Sequence, residues 1–261
     1  MEKNQKIAIT GSSGSIGITF PKNCKRLFTR LESSKEKMIQ ELIKFNKKPD
    51  TVIHLAALVS TKKCEEDFFQ AYNLNVNGAI KWYKACKYVG IKNFIFVSTS
   101  HVYRPIKNFD VKIGICFDKK PKNNYGKTKL EAEKKLIFLS KNKGYPKLII
   151  ARIFSVFSLN ARKDFLIYEL LERKKNKIYS ELRGQNIQRD FLSSEKISNK
   201  LIKITFNKNQ KKIYHICSGQ GIKIKDISTK ILGQKFYEKC TKIEDNNSLW
   251  NSLIGRPTLF N

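Results

Sequence analysis

Short apolar runs alternate with longer amphipathic stretches along most of the chain. Helical patterns, with apolar residues spaced three or four apart, occupy 35–45, 68–89 and 126–141. Strands alternating with such helices predict βαβ units, and hence a parallel sheet with helices on both faces. The predicted strands, rich in β-branched and aromatic residues and bounded by polar or turn residues, are 6–10, 51–55, 93–98, 148–153 and 213–217.

Three glycines follow the first predicted strand directly, with the spacing G-x-x-G-x-x-G. Gly11 permits a tight turn, Gly14 lets the backbone approach a pyrophosphate, and Gly17 allows the next helix to pack closely on the strand. In this position the triplet indicates a dinucleotide-binding turn. We therefore predict an α/β fold of the Rossmann type, a doubly wound parallel sheet over 1–153 and 188–217. The irregular remainder, 154–187 and 218–261, is predicted to form a small substrate-binding cap.

The segment after the glycines is unusually short. Pro21 comes four residues after Gly17 and should end the first helix early, and the next strand candidate, 25–29, is weak. The first helix and the third strand are thus expected to be shortened or missing. No acidic residue ends the second strand to bind a ribose 2′-hydroxyl. Arg30 stands there instead and favours NADP over NAD, although a surface Arg in an atypical loop is an equal alternative.

Tyr125 and Lys129 form a Tyr-x-x-x-Lys pair where a helix is predicted to begin. Positions i and i+4 share one face of a helix, so the ammonium can stand near the phenol. A neighbouring positive charge would favour the phenolate and make proton exchange with a hydroxyl feasible near neutral pH. The spacing alone arises readily by chance in a Lys-rich chain. Thr99, in a hydroxyl cluster after a buried strand, can align a substrate oxygen for Tyr125.

Together these motifs resemble the extended short-chain dehydrogenase/reductase family, in particular its nucleotide-sugar epimerases, dehydratases and reductases. The similarity runs in order through 10–17, 52–57, 75–78, 97–103, 125–129 and 189–192, with later landmarks at 216–219 and 255–257. It implies that Thr99, Tyr125 and Lys129 are catalytic. It implies substrate contacts at Ser100, His101, Ser155, Arg189 and Arg256. It implies cofactor contacts at Gly11, Ser13, Gly14, Ser15, Ile16, Gly17, Arg30, Leu55, Ala56, Ala57, Asn75, Tyr125, Lys129 and Phe154.

Several positions depart from the family pattern. Only 43 positions separate Gly11 from His54, fewer than the family usually has, and an acidic loop that would hold the adenine is missing. Ser100 and His101 replace the Asp-Glu pair of the dehydratases, which disfavours elimination chemistry. For His101 both a hydrogen-bonding and a proton-transfer role stay open. Ser155 stands where the family often has a substrate-binding Asn.

Charge and cysteine content narrow the function classes. There are 52 basic and 22 acidic side chains, a net charge of +30, and only nine of the basic residues are Arg. Lysines spread over the whole chain favour a solvated surface over a nucleic-acid site, although the positive field would attract an anionic substrate. Six widely spaced cysteines predict free thiols in a reducing compartment and no metal site. No apolar run is long enough for a bilayer, so we expect a cytoplasmic protein without a membrane partner.

The resemblance implies an NAD(P)-dependent epimerase or reductase that acts on a nucleoside-diphosphate sugar. The sequence does not separate epimerisation from reduction. It permits a homodimer through the helices near 68–89 and 126–141. The alternative is a catalytically weak or inactive dinucleotide-binding sensor or scaffold of the same family.

Overall fold

Six parallel strands form the central sheet in the computed structural model, which describes residues 6–106, 111–160, 163, 165–243 and 252–258. The strand order is β10-β5-β4-β3-β1-β2, so the chain turns in opposite directions from β1 and opens a crevice at the carboxyl ends of β1 and β3. The strands are β1 (Ile7–Thr10), β2 (Lys25–Leu27), β3 (Thr51–His54), β4 (Asn93–Thr99), β5 (Lys147–Ile153) and β10 (Ile213–Ile216). The five predicted strands and the parallel sheet are confirmed, with ends shifted by at most one residue.

Helices cover both faces of this sheet, as the unbroken apolar character of the strands predicts. The core on one face includes Met38, Trp82 and Leu136, and the core on the other includes Ile197 and Leu201. These core side chains are fully buried, and the removal of their apolar surface from water supplies the main stabilisation of the fold. The helices are α1 (Lys35–Ile43), α2 (Thr61–Glu66), α3 (Phe68–Tyr72), α4 (Gly78–Val89), α5 (Asn124–Ser140), α6 (Leu166–Lys175), α7 (Ser194–Phe206), α8 (Ile224–Leu232) and α9 (Gln234–Lys239).

The segment between β1 and β3 is reduced, as the early proline predicts. A three-residue 3₁₀ turn, Gly17–Thr19, takes the place of a first α-helix. β2 is only three residues long and forms the edge of the sheet. Among the residues that the structure describes, no further strand pairs with the outer side of β2.

The predicted helix 68–89 is interrupted by a π-helical turn. α3 ends at Tyr72, the π turn spans Asn73–Asn77, and α4 follows without a break. Apolar periodicity does not distinguish this widened turn from an ordinary helix, so the sequence did not predict it. Such turns are often found at functional sites, because they redirect one or two side chains.

The later part of the chain adds three small sheets. β6 (Ser155–Phe157) pairs with β9 (Phe191–Ser193), and β7 (Leu182–Arg183) pairs with β12 (Lys242–Ile243). β8 (Gln188–Arg189) lies between β11 (Ile222–Lys223) and β13 (Ser252–Leu253). Residues 188–193, which the predicted division puts in the main domain, therefore pair with cap strands. Parts of the predicted cap, 161, 162, 164, 244–251 and 259–261, lie outside the described residues.

None of the helices in the described ranges combines the length and the apolar character needed to cross a bilayer.

Candidate active site

The turn between β1 and the 3₁₀ segment lies at the mouth of the crevice. Gly11 has φ +67°, and a Cβ there would lie 2.8 Å from the backbone nitrogen of Ala56. A Cβ on Gly17 would lie 2.2 Å from the carbonyl oxygen of Gly11, so only glycine fits. Beside Gly14 a Cβ would meet only the Gly11 carbonyl oxygen, at 3.3 Å. The turn is thus a bare backbone cradle, open at Gly14, and its residues fit the pyrophosphate of a dinucleotide.

The other residues predicted to contact a cofactor in this turn differ in exposure. Ser13 is exposed, while Ser15 and Ile16 are half-buried. The Ser15 hydroxyl donates to the carbonyl of Asn160 at 3.2 Å, and Ile16 packs against the core beneath the sheet. Ser15 therefore ties the turn to the segment after β6, and Ser13 stays accessible to a ligand.

Arg26 holds the glycine turn, and sequence reasoning missed it. Its guanidinium donates to the carbonyl oxygens of Gly17 and Phe20, both at 3.2 Å, and of Ser12 at 3.4 Å. A helix that ends after one turn leaves carbonyl oxygens that can accept further hydrogen bonds, and Arg26 donates to three carbonyl oxygens of this segment. The signal was available, because the predicted early end of the helix requires such a donor. Arg30, three residues beyond β2, is exposed instead.

The loop after β3 faces the glycine turn. Leu55, Ala56 and Ala57 are half-buried there, and the backbone N–H of Ala56 donates to the Thr10 hydroxyl at 3.2 Å. The same hydroxyl is 2.9 Å from Nδ1 of His54. Burial, with the charge of Lys129 as a second cause, lowers the pKa of His54 to about 3. His54 is therefore neutral, and it serves in packing and hydrogen bonding.

Asn75, on the π turn, fastens that loop to α5. Its Oδ1 accepts from the backbone N–H of Leu58 at 2.7 Å, and its Nδ2 donates to the Leu58 carbonyl at 3.0 Å. Nδ2 also donates to the Thr128 hydroxyl at 3.1 Å. The side-chain atoms of Asn75 therefore bind other protein groups and position the loop 55–57 through the adjacent Leu58. Its predicted direct contact with a cofactor stays a prediction.

Thr99 and Tyr125 meet at the carboxyl edge of the sheet. Thr99 is the last residue of β4, and its hydroxyl accepts from the backbone N–H of His101 at 3.2 Å. A side-chain hydrogen bond joins Thr99 to Tyr125, which is the second residue of α5. The approach is close because Gly126 has no side chain: a Cβ there would lie 2.3 Å from the carbonyl oxygen of His101.

The expected effect of Lys129 on the Tyr125 phenol stays a prediction, and burial acts on the pKa of the phenol in the opposite direction. Burial, assisted by the Cys64 thiol, raises the pKa of the phenol above its usual value of 10, and the Thr99 hydrogen bond opposes this. The phenol is therefore protonated at neutral pH. The ammonium of Lys129 lies 4.1 Å from the centre of the Phe96 ring. Burial lowers the pKa of Lys129 to about 7, against the opposing charge of Glu133.

His101 lies beside Tyr125, and Arg189 is close enough to act on His101 by its charge. The His101 and Tyr125 rings are 5.8 Å apart and meet edge to face. Burial and the positive charge of Arg189 lower the pKa of His101 to about 4. Arg189 is half-buried on β8, and burial lowers its own pKa to about 10. The fold therefore brings the predicted residues Thr99, His101, Tyr125 and Arg189 together from three separate parts of the chain.

The remaining predicted residues take different positions. Ser100 is only 3% exposed, and Phe154, 5% exposed, packs against His215 with ring centres 5.2 Å apart. The backbone N–H of Ser155 donates to the carbonyl of Asp190 at 2.9 Å. Arg256 is exposed, and its N–H donates to the Ile113 carbonyl at 2.9 Å. Ser100 and Phe154 thus belong to the packed frame in this structure.

A buried polar network behind the site was not predicted. Glu133, four residues after Lys129, forms a two-point ion pair with Arg152 on β5, at 2.9 and 2.5 Å. Arg152 also donates to the Tyr103 hydroxyl, which lies 2.6 Å from Nε2 of His215. An Arg inside the apolar strand 148–153 was the available signal, because a buried charge requires a partner.

Asp190 is a second organising residue that was missed. Its fully buried carboxylate accepts from the backbone N–H and hydroxyl of Ser218 at 2.7 and 2.6 Å. It also accepts from the N–H groups of Gly219 and Gly255, at 2.9 and 3.2 Å. These bonds join β8, the end of β10 and the segment after β13, and so fix the backbone that carries Arg189. In the described part of the chain no group of three or more metal-binding side chains occurs.

Comparison with known proteins identifies a family and several relatives. The profile of the family described as "RmlD substrate binding domain" matches residues 5–244. A GDP-6-deoxy-D-mannose reductase of Pseudomonas aeruginosa is 24% identical over 186 residues, which cover 69% of this chain and 61% of that protein. An uncharacterized UDP-glucose epimerase, YtcB, of Bacillus subtilis is 27% identical over 179 residues, which cover 66% of this chain and 55% of that protein. The matches thus span less than two thirds of these relatives.

Solved structures show the same fold. A UDP-glucose 4-epimerase of Thermus thermophilus in complex with NAD superimposes with a TM-score of 0.81 at 18% identity, covering 96% of this chain and 90% of that one. RMD from Pseudomonas aeruginosa, complexed with NADPH, also gives 0.81 at 20% identity, covering 96% and 89%. At these identities the likeness establishes a shared Rossmann-like architecture.

Proposed function

The chain belongs to the RmlD substrate binding domain family, within the extended short-chain dehydrogenase/reductase enzymes, and from this premise we propose an NAD(P)-dependent reaction. The reaction is epimerisation or reduction at a sugar carbon of a nucleoside-diphosphate sugar. One observation carries the proposal: the hydrogen-bonded pair of Thr99 and Tyr125 lies at the carboxyl edge of the sheet. The glycine turn follows β1 at the same edge.

The cofactor would be held by the backbone cradle of 11–17 and by the loop 55–57. Lys129 is buried, with its ammonium against the Phe96 ring, and we assign it to a cofactor ribose hydroxyl. When bound, the nicotinamide supplies or accepts a hydride at the sugar carbon. Arg30 is free to approach a ribose 2′-phosphate from the exposed loop after β2, so we propose NADP as the preferred form.

Tyr125 moves the proton. Its protonated phenol gives the Oη proton to a carbonyl oxygen while the carbon of that carbonyl receives a hydride, and the reverse transfer accompanies oxidation. Thr99 holds the phenol in place and orients the reacting oxygen through its hydroxyl. The raised pKa of the phenol suits the donating direction, since the proton is present at neutral pH.

Arginine side chains are suited to the diphosphate of the substrate. Arg189 is half-buried beside His101 and can donate to phosphate oxygens in a fork, while Arg256 is exposed on the segment after β13. The net charge of +30 attracts such a dianion from solution. The matched relatives act on GDP- and UDP-sugars by name, so these two nucleotides are the first to test.

The test is Tyr125→Phe, which removes the proton donor and keeps the ring. We expect turnover with GDP- or UDP-sugars to fall about 10²- to 10⁴-fold. NADP and NAD affinity, measured by fluorescence titration, should stay unchanged. Tyr179→Phe is the matched control, since Tyr179 is 42% exposed, keeps its ring contact with Phe236 as a Phe, and should behave as the parent.

Near-normal turnover in Tyr125→Phe would refute the assignment of this residue. Binding of a dinucleotide with no turnover of any sugar nucleotide in the parent protein would instead support the sensor or scaffold. Failure to bind either dinucleotide would reject both functions.

We also propose that two copies associate through α4 and α5. Tyr88 on α4 and Phe138 on α5 are 74% and 69% exposed, and a dimer would cover such side chains. Lysines 84, 134 and 135 line the same face and oppose a second copy by charge, so association should strengthen with salt. Light scattering at low and high salt measures the mass directly.

A further inference from the structure

Asn123 is held in one orientation at the start of α5. As the N-cap residue, it accepts from the backbone N–H of Gly126 through Oδ1 at 2.7 Å. Its other side-chain atom, Nδ2, lies 2.9 Å from Nδ1 of His101. An N–H donor at Gly126 requires the amide oxygen opposite it, so the NH₂ group must face the imidazole.

This orientation determines the tautomer of His101. The Asn123 NH₂ group can only donate, so Nδ1 of His101 must accept and carries no proton. In the neutral ring the proton is therefore on Nε2, which makes that atom a hydrogen-bond donor. The same ring is 5.8 Å from the Tyr125 ring and is anchored through its backbone N–H to the Thr99 hydroxyl.

We propose, building on the proposed function, that Asn123 is a positioning residue that keeps His101 a neutral donor beside Tyr125. His101 then donates from Nε2 to an acceptor oxygen of the substrate and does not compete with Tyr125 as a proton acceptor. Arg189 lies on the same side and also only donates. The ligand groups recognised there are therefore acceptor oxygens, of a sugar carbonyl or a phosphate.

The groups around the imidazole agree with a neutral ring. Tyr125 faces it from α5 and is protonated, and Arg189 acts on it from β8 with a positive charge. Beyond Tyr125, α2 contributes Cys64, and Glu65 of α2 accepts from the backbone N–H of Asn124 at 2.7 Å. The carboxylate of Glu65 is thus engaged at the start of α5.

Asn123→Asp replaces the donor that faces Nδ1 of His101 with an acceptor, in a nearly isosteric side chain. A carboxylate also caps α5, but it can only accept, so it would draw the His101 proton to Nδ1 and favour the charged imidazole. The first measurement is ¹⁵N NMR of the three histidines, His54, His101 and His215, in the protein without ligands, with His101→Gln to assign the signal. In the parent we expect neutral Nε2–H in His101 from pH 5 to 8, and in Asn123→Asp a titration within that range.

The second measurement is the pH profile of kcat and KM. The parent profile should show no His101 titration between pH 5 and 8, whereas the Asn123→Asp profile should show one. At pH values above that titration, the KM of Asn123→Asp should be about 3- to 10-fold higher than in the parent, which corresponds to the loss of one hydrogen bond. Asn123→Ser keeps a good N-cap residue without the amide donor and separates loss of the cap from change of the tautomer. A proton on Nδ1 in the parent, or an unaltered His101 signal in Asn123→Asp, would overturn the proposal. Since the NMR arm needs no turnover, it stands even if the proposed reaction fails.

Discussion

The two halves of the crevice are built by different physical means. On the side of β4, β5 and α5, polar side chains hold the residues of the candidate site, through the buried pair of Glu133 with Arg152 and the half-buried pair of Asn123 with His101. On the side of β1 and β2, the turn is shaped by glycine backbone and one arginine, and a three-residue edge strand follows. The first half depends on desolvated charges, whose loss is costly. The second depends on the absence of side chains and on surface charge.

The largest effect should come from breaking the buried ion pair. Arg152→Met leaves the Glu133 carboxylate buried without its partner, since the two side chains are 1% and 2% exposed, and should cost about 3–5 kcal/mol of unfolding free energy. Urea denaturation measures this. Arg183→Met, in a pair that is 67% and 52% exposed, is the matched control and should cost less than about 1 kcal/mol.

If Arg152→Met and Arg183→Met lose the same small amount of unfolding free energy, the buried network does not stabilise the site. Adding Glu133→Leu to Arg152→Met should restore much of the loss, because the uncompensated charge is then removed as well.

An intermediate effect is expected from Gly17→Ala in the other half. The new Cβ would lie 2.2 Å from the Gly11 carbonyl oxygen, so the backbone must shift, at a cost of about 1–3 kcal/mol and with weaker dinucleotide binding. Thermal unfolding and cofactor titration measure the two changes.

Gly14→Ala sharpens this result. Its Cβ would be 3.3 Å from the same oxygen, so stability should stay within about 1 kcal/mol of the parent, while the methyl group blocks the approach of a pyrophosphate. Unchanged cofactor affinity in Gly14→Ala would contradict the proposal that the backbone of 11–17 binds the pyrophosphate.

The smallest effect should come from Arg30→Ala. Arg30 is exposed, so an ion pair with a 2′-phosphate is worth no more than about 1 kcal/mol, or about fivefold in affinity. NADP binding should weaken by that amount and NAD binding should not change. Arg26→Ala should weaken both equally, because it loosens the turn; an equal loss for both cofactors in Arg30→Ala would end the case for NADP.

Local patterns predicted the frame well. The strand ends, the glycine turn, the short segment after Pro21 and the start of α5 all depend on residues close in sequence. Thr99 and Tyr125 were placed together because parallel strands end at one edge and a helix begins beside it. The structural roles of Arg26, Asp190 and Glu133 were not predicted, because each side chain forms its hydrogen bonds with groups from a different segment of the chain.

By itself the sequence determined the parallel sheet and the glycine turn after β1, since these follow from spacing along a regular backbone. The catalytic roles of Thr99, Tyr125 and Lys129 follow from the family resemblance and stay predictions. Only the tertiary structure decided that burial raises the pKa of the Tyr125 phenol, that the Lys129 ammonium contacts the Phe96 ring, and that the Asn123 amide faces His101. Charge and tautomer depend on burial and on partners distant in the chain, such as Tyr103 and His215, 112 positions apart. Those environments exist only once the segments have packed together.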